Sequence, residues 1–345
     1  MSAPTLIKGH RPVRWAGYSL LVQRRNVVVC SILALALAGA ALLSLTVGNV
    51  VTVPPADAVN TLLGERTGYN LTIGVLRWPR IVLAALAGAA LALSGALIQA
   101  VARNPLASPD IIGVTAGAGL AATLSLMTGL GLGLVAPLAL LGGLAAAAAV
   151  LLLGSKAGLS APRFVLAGVA VAVLAKSLTQ MSLMSGEAID AQRAQIWLVG
   201  TLAGRGWDEV RVLAAVLLVA LPVLVWASRA LRTTSLDDPT AVGIGVAVGR
   251  QRLAFALAGV ALAALTVSQV GGIEFVALAA PHISRRLVRS TRPPLVAAAL
   301  TGALLLVLAD WIGRNAFGDY QLPAGVLTAA LGGAYLLYLL IRKGR

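Results

Sequence analysis

The sequence predicts an all-α integral membrane protein with about ten transmembrane helices, on three observations. Of its 345 residues, 59% are hydrophobic and only 11% are charged, whereas a soluble domain averages about 25% charged. The mean hydropathy is +0.92, and apolar surface on that scale would aggregate in water. The apolar residues also gather into runs close to the ~20 residues that a helix needs to cross hydrocarbon. Glycine is abundant, with 37 residues, and aromatics are scarce. Small residues let helices approach closely where lipid removes the hydrophobic drive between them.

The elements follow in order. Residues 1–26 are basic and form an N-terminal tail expected in the cytoplasm. The run at 27–47 is too long for a signal-peptide core and reads as a retained first helix. After a loop at 48–79, Arg77-Trp78-Pro79-Arg80 opens a span over 80–101. Arg103-Asn104-Pro105 turns the chain, and spans follow at 111–128, 132–153 and 164–184. The stretch 186–209, with Gly200 and Gly204 flanking a short apolar piece, reads as a half-helix or surface helix. Further spans lie at 210–228, 253–270, 273–289, 295–312 and 323–341. The run at 273–289 is the least regular, since it holds Glu274, Pro281 and His282 and ends in Arg285-Arg286. Residues 27–343 thus form a single membrane domain, with its largest inner loop at about 229–252.

Charge orients these spans. With the N-terminus inside and ten crossings, nineteen Lys and Arg residues fall on cytoplasmic segments and seven on outer ones, with Lys176 inside a span. That bias satisfies the positive-inside rule and places both termini in the cytoplasm. The net charge of +15 is accounted for in this way, without nucleic acid as a partner. Ala85–Ala92 and Ala256–Ala263 share an Ala-Leu-Ala-Gly-x-Ala-Leu-Ala pattern five spans apart, as in an inverted repeat.

Several chemistries are absent. The lone Cys30 can form no internal disulfide or cysteine metal site, and two histidines, His10 and His282, make a poor metal site. No Gly-x-x-x-x-Gly-Lys-Ser/Thr loop is present, so the chain lacks a phosphate cradle of its own. No nucleophile and base fall together, so the chain is read as neither an enzyme nor a self-contained ATPase, with no cofactor or metal of its own.

Arg77, Arg80 and Arg314 break the positive-inside trend at the outer ends of their spans. They read either as snorkelling cations beside Trp78 and Trp311 or as a basic rim that docks an acidic partner. Lys176 lies midway through its span, where an ammonium needs water or a partner. It either faces a translocation path or makes a polar helix contact. The loop Leu236-Asp237-Asp238-Pro239-Thr240-Ala241-Val242-Gly243-Ile244-Gly245 is short, partly apolar and flanked by Arg232 and Arg250, which suits a docking surface as well as a connector.

Taken together, Arg77-Trp78-Pro79-Arg80, Ser94-Gly95-Ala96-Leu97-Ile98-Gln99, Asn104-Pro105-Leu106-Ala107, Gly272-Ile273, Phe275-Val276, Pro281-His282-Ile283, Ala309-Asp310 with Arg314, and Leu322-Pro323 resemble the FecCD-type permeases. These are membrane subunits of ABC importers for iron–siderophores, haem and vitamin B12. The resemblance implies the type II ABC importer permease fold and a dimer with a second permease subunit, either a copy or a paralogue. Siderophore importers commonly pair two different subunits, which favours a heterodimer. It also implies two ATP-binding subunits that use ATP-Mg, and an extracytoplasmic substrate-binding protein. It assigns Arg77, Arg80 and Arg314 to binding-protein docking, and Leu236, Asp237, Asp238, Ala241, Gly243 and Gly245 to the ATPase coupling loop, where Asp237, Pro239 and Ile244 depart from the family pattern. It puts Ser160 and Ala161 at the inner gate of the translocation path, the path that Lys176 faces on the first of its two readings. Glu274 stands where the family often has Gly or Ala. The expected protein is therefore a multi-pass permease of the bacterial cytoplasmic membrane that carries a ferric siderophore by alternating access. Haem or vitamin B12 as cargo, or an ion-gradient-driven transporter, are the alternatives.

Overall fold

The computed structural model describes residues 10–15, 18–49, 51–155, 161–233, 236–318 and 320–343. All ten expected spans are helices. In chain order the helices are α1 (Arg24–Thr46), α2 (Pro55–Leu62), α3 (Trp78–Ala102), α4 (Val114–Met127), α5 (Val135–Ser155), α6 (Ala161–Ser185), α7 (Ala188–Val199), α8 (Trp207–Ala230), α9 (Asp238–Gly243), α10 (Val248–Val270), α11 (Val276–Val288), α12 (Leu295–Asn315) and α13 (Ala324–Lys343). Among the described residues, seven are long and apolar enough to cross a membrane. One departure from an all-α chain is a small hairpin ahead of α1, in which His10–Trp15 pairs antiparallel with Tyr18–Gln23.

The centre of the bundle is α3. Its 25 residues extend for ~37 Å, and it packs against α8, α10, α11 and α12. Sixteen of those residues are buried, so the apolar run has no single lipid-facing stripe. Glycine makes the closest contacts. A side chain at Gly88 would strike the backbone of Gly302 on α12, and one at Gly95 would strike the carbonyl of Ala277 on α11.

The helices α4 and α11 are the shortest of the ten spans, and α11 explains why the run at 273–289 looked irregular. With 14 and 13 residues they reach only ~20 Å, too little to cross ~30 Å of hydrocarbon. Both begin inside the bundle. After α3 the chain re-enters through a 3-10 turn at Pro109–Ile112, where Ile111 lies against Gly168, eight residues into α6. The break between α10 and α11 places Gly272 beside Thr115 and Ala277 beside Gly95. Gly113 at φ +77° and Gly271 at φ +77° turn the two breaks, and Phe275 holds φ +67°, a conformation that an aromatic residue rarely adopts. The expected starts at 111 and 273 are therefore corrected: the backbone reaches helical form only at Val114 and Val276.

The break pattern follows the suspected repeat. The helices α3 and α10 pack together, and each leads into a break and then a short helix. Ser94 on α3 donates to the Gly259 carbonyl on α10 at 2.5 Å.

The reciprocal contact of Gly88 and Gly302 predicts a sharp cost for added volume. Gly302→Leu should lower the thermal unfolding midpoint of the purified chain in micelles by the equivalent of about 1–3 kcal/mol, whereas Gly333→Leu, at a glycine with open space around it, should leave it near wild type.

Candidate functional site

The outer arginines gather at the end of the bundle where α3 starts and α12 stops. A π-helical turn at Leu71–Arg77 runs straight into α3 and carries Arg77 inward. Its guanidinium is buried and donates to the carbonyls of Leu45, Thr46 and Val51. Gly48 leaves the room for it, since a side chain there would collide with the same guanidinium. Arg77 thus ties the C-terminal end of α1 to α3.

Arg80, one turn on, meets Asp310 of α12. Its Nε lies 3.0 and 3.1 Å from the two carboxylate oxygens, and one Nη lies 2.8 Å from Oδ1. Arg314 approaches the same carboxylate, with Nε 3.0 Å from Oδ2, although that N–H is not aimed to form a hydrogen bond. A second donor of Arg314 reaches Ser44 on α1. Asp310 is 2% exposed, so one buried carboxylate sits between two guanidiniums. Such a cluster is held by the mutual dependence of its members, since removing one partner strands a buried charge.

The three arginines line one cleft of about 590 Å³ together with Arg205, Asn49 and Gln321. They do not stand free as an exposed rim, because each is already engaged with the chain itself. Arg205 was not singled out from sequence. It lies between Gly204 and Gly206, is more exposed than the others, and pairs with Glu209 at 3.4 Å. Its signal was its place as another cation on an outer segment.

At the opposite end the loop between α8 and α10 folds into the single-turn α9. Asp237 caps it, accepting from the Thr240 N–H at 3.4 Å. Hydrogen bonds from the Thr240 hydroxyl and N–H lower the Asp237 pKa from its ordinary value. Asp238 pairs with Arg252 at 2.9 Å and with Arg103, the residue that ends α3. Arg103 also donates to the Leu236 carbonyl. Ala241 is the buried residue of α9, while Gly243 and Gly245 are exposed and Gly245, at φ +84°, ends the turn. Val242 and Ile244 are 61% and 62% exposed, leaving an apolar tip.

Of the expected path residues, Ser160 lies outside the described residues and Ala161 opens α6. Lys176 is exposed on α6, on a helix that also turns Val173, Leu174 and Met181 outward. Asp110, in the re-entrant turn, accepts from the Thr115 hydroxyl and lies within electrostatic reach of both Glu274 and Lys176. Glu274 stands two residues after Gly272, which lies beside Thr115, so it sits near the start of both broken helices. Asp110 was missed because in the sequence it is one more polar residue of the Pro-rich turn that follows Arg103.

Comparison with known proteins gives a consistent picture. The model of the FecCD transport family matches residues 34–342. The chain is 39% identical over 326 residues to an Fe(3+)-citrate import system permease protein of Bacillus subtilis, covering 94% of this chain and 97% of that one. It is 41% identical to an achromobactin transport system permease protein of Dickeya dadantii, covering 87% of each. It is 35% identical to a ferric enterobactin transport system permease protein of Escherichia coli, covering 94% and 99%. Among solved structures, the inward-facing conformation of a metal-chelate type ABC transporter is similar with a TM-score of 0.79 at 30% identity, covering 92% of this chain and 99% of that one.

The shared carboxylate makes a prediction. Asp310→Asn should destabilise the chain by about 3–5 kcal/mol, because two buried guanidiniums lose their counter-charge. In unfolding scans of the purified protein its midpoint should fall below that of Arg205→Gln, which breaks only a partly exposed pair.

Proposed function

The chain belongs to the FecCD transport family, and from that membership we propose that it is the membrane-spanning permease of an ATP-driven ABC importer that carries a ferric siderophore across the cytoplasmic membrane by alternating access. The match to siderophore and ferric citrate permeases over nearly the whole chain carries this reading. The arrangement of the two ends supports it. The α9 end bears Arg229, Arg232, Arg250, Arg252, Arg286 and Arg289, which suits the cytoplasmic side under the positive-inside rule. The cleft of Arg77, Arg80, Arg205 and Arg314 then faces outward.

Each end suits a different partner. The outer cleft offers cations to acidic side chains of a substrate-binding protein, and opposite charges on two such surfaces speed their encounter. Arg205 is the more accessible contact in that role, while Arg77, Arg80 and Arg314 hold the floor. At the inner end, the apolar tip of Val242 and Ile244 would seat on an ATP-binding subunit, with Asp237 and Asp238 fixing the turn that presents it. Two such subunits, using ATP-Mg, supply the energy, and a second permease subunit, a copy or a paralogue, completes the path. The face of α6 bearing Lys176, together with the Ser160–Ala161 segment, lies along that path. The chain itself binds no cofactor in this scheme, and its membrane domain spans 27–343 after a cytoplasmic tail.

Uptake tests this reading. In cells lacking the chain, wild type should restore accumulation of iron-loaded siderophores, and Val242→Asp with Ile244→Asp should reduce it about tenfold or more at unchanged membrane abundance. Arg205→Glu should slow uptake at low concentrations of binding protein. Uptake that persists without any ATPase partner would sink the proposal in favour of an ion-gradient transporter.

A further inference from the structure

A second basic pocket lies at the α9 end, separate from the outer cleft. It encloses about 360 Å³ and is lined by Gln99, Arg103 and Asn104 from the end of α3, by Asp237 ahead of α9, and by Arg285 and Arg292 from α11 and the turn that follows it. Three guanidiniums and one carboxylate therefore line it.

The charges in this pocket are unevenly matched. Arg103 is paired with Asp238. Arg285 is half-buried and donates to Gln99 Oε1 at 2.9 Å, a neutral acceptor. Gln99 is itself 3% exposed and anchored by its Nε2 to the Leu278 carbonyl at 3.1 Å, so Arg285 is held in a fixed direction. Among the described residues neither Arg285 nor Arg292 forms an ion pair. Asp237 is directed to Thr240 at the start of α9. Asn104 accepts the Leu106 N–H with its side-chain oxygen, which leaves its NH2 as a donor. Snorkelling explains a cation pointing to water, and a helix C-terminus favours one. Neither explains why a buried glutamine anchors a guanidinium at the wall of a polar pocket.

We propose that this pocket binds a phosphate-type anion, a free phosphate or the phosphodiester of a lipid headgroup. Guanidinium forks match phosphate oxygens in paired hydrogen bonds, and basic pockets between helices near the cytoplasmic face take anionic headgroups. An anion here touches α3, the turn after α11 and the segment leading into α9 at once. Its occupancy would therefore bias where α9 sits, which makes the pocket a regulatory site for coupling. The inference goes beyond the import reading and does not depend on the cargo.

The test uses the full chain in nanodiscs, reading the thermal unfolding midpoint. One arm titrates inorganic phosphate against sodium chloride at matched ionic strength, in phosphatidylcholine. The other compares phosphatidylglycerol with phosphatidylcholine, without phosphate. The midpoint should rise in at least one arm: a rise with phosphate assigns a soluble anion, and a rise with phosphatidylglycerol alone assigns a headgroup. Arg292→Gln should weaken the effect about tenfold. Asp237→Asn should strengthen it, because it removes the nearest negative charge while asparagine still caps α9. Arg292→Gln also leaves the Gln99–Arg285 contact intact, so its result does not depend on folding of an Arg285 variant. No rise in either arm, or an equal rise in Arg292→Gln, overturns the proposal.

Discussion

Hydrocarbon offers a backbone no hydrogen bonds, so every break in a membrane helix must be enclosed by protein. That constraint organises this chain. The turn before α4 packs against α3, α6 and α10, while the break before α11 lies against Thr115 of α4 and the end of α7. The 270–273 segment reaches the end of α7, where Thr201 N–H donates to the Val270 carbonyl and Gly272 N–H to that of Trp197. Gly325 N–H at the start of α13 donates to the Gly200 carbonyl. The irregular segments satisfy one another, and long helices shield them from lipid.

A second consequence concerns charge. Buried guanidiniums are tolerated where carbonyls or a carboxylate replace water. Arg77 uses the carbonyls freed where α1 ends, and Arg80 and Arg314 share Asp310. The same residues that close the outer end of the bundle form the floor of its basic cleft. Structural closure and an electropositive surface thus come from one set of side chains, which is why their loss would be read first as instability.

Much of the fold was legible in the sequence. Ten apolar runs became ten helices because length and hydropathy decide membrane crossing almost by themselves. The ends were less legible. The run beginning at Ile111 is apolar from its first residue, yet it starts as a 3-10 turn wedged against Gly168, a long-range contact that composition does not encode. The site was legible in residue type but not in geometry. Arg77, Arg80 and Arg314 were identified by breaking the charge rule, but only packing reveals that Asp310 joins two of them. Glu274 was an isolated oddity until the folded chain set it near Asp110, 164 positions earlier. The pairing of Asp238 with Arg103 and Arg252 was hidden for the same reason.

The glycine contacts along α3 bear on sealing. Where Gly88 meets Gly302 and Gly95 meets Ala277, the helices touch backbone to backbone, and Leu83, Leu91 and Leu306 share the buried cluster around that seam. Main-chain atoms have no rotamers to change, so these two points fix the spacing of α3 from α11 and α12. The wall is tight to water and ions there because no side chain has to swing aside to close it.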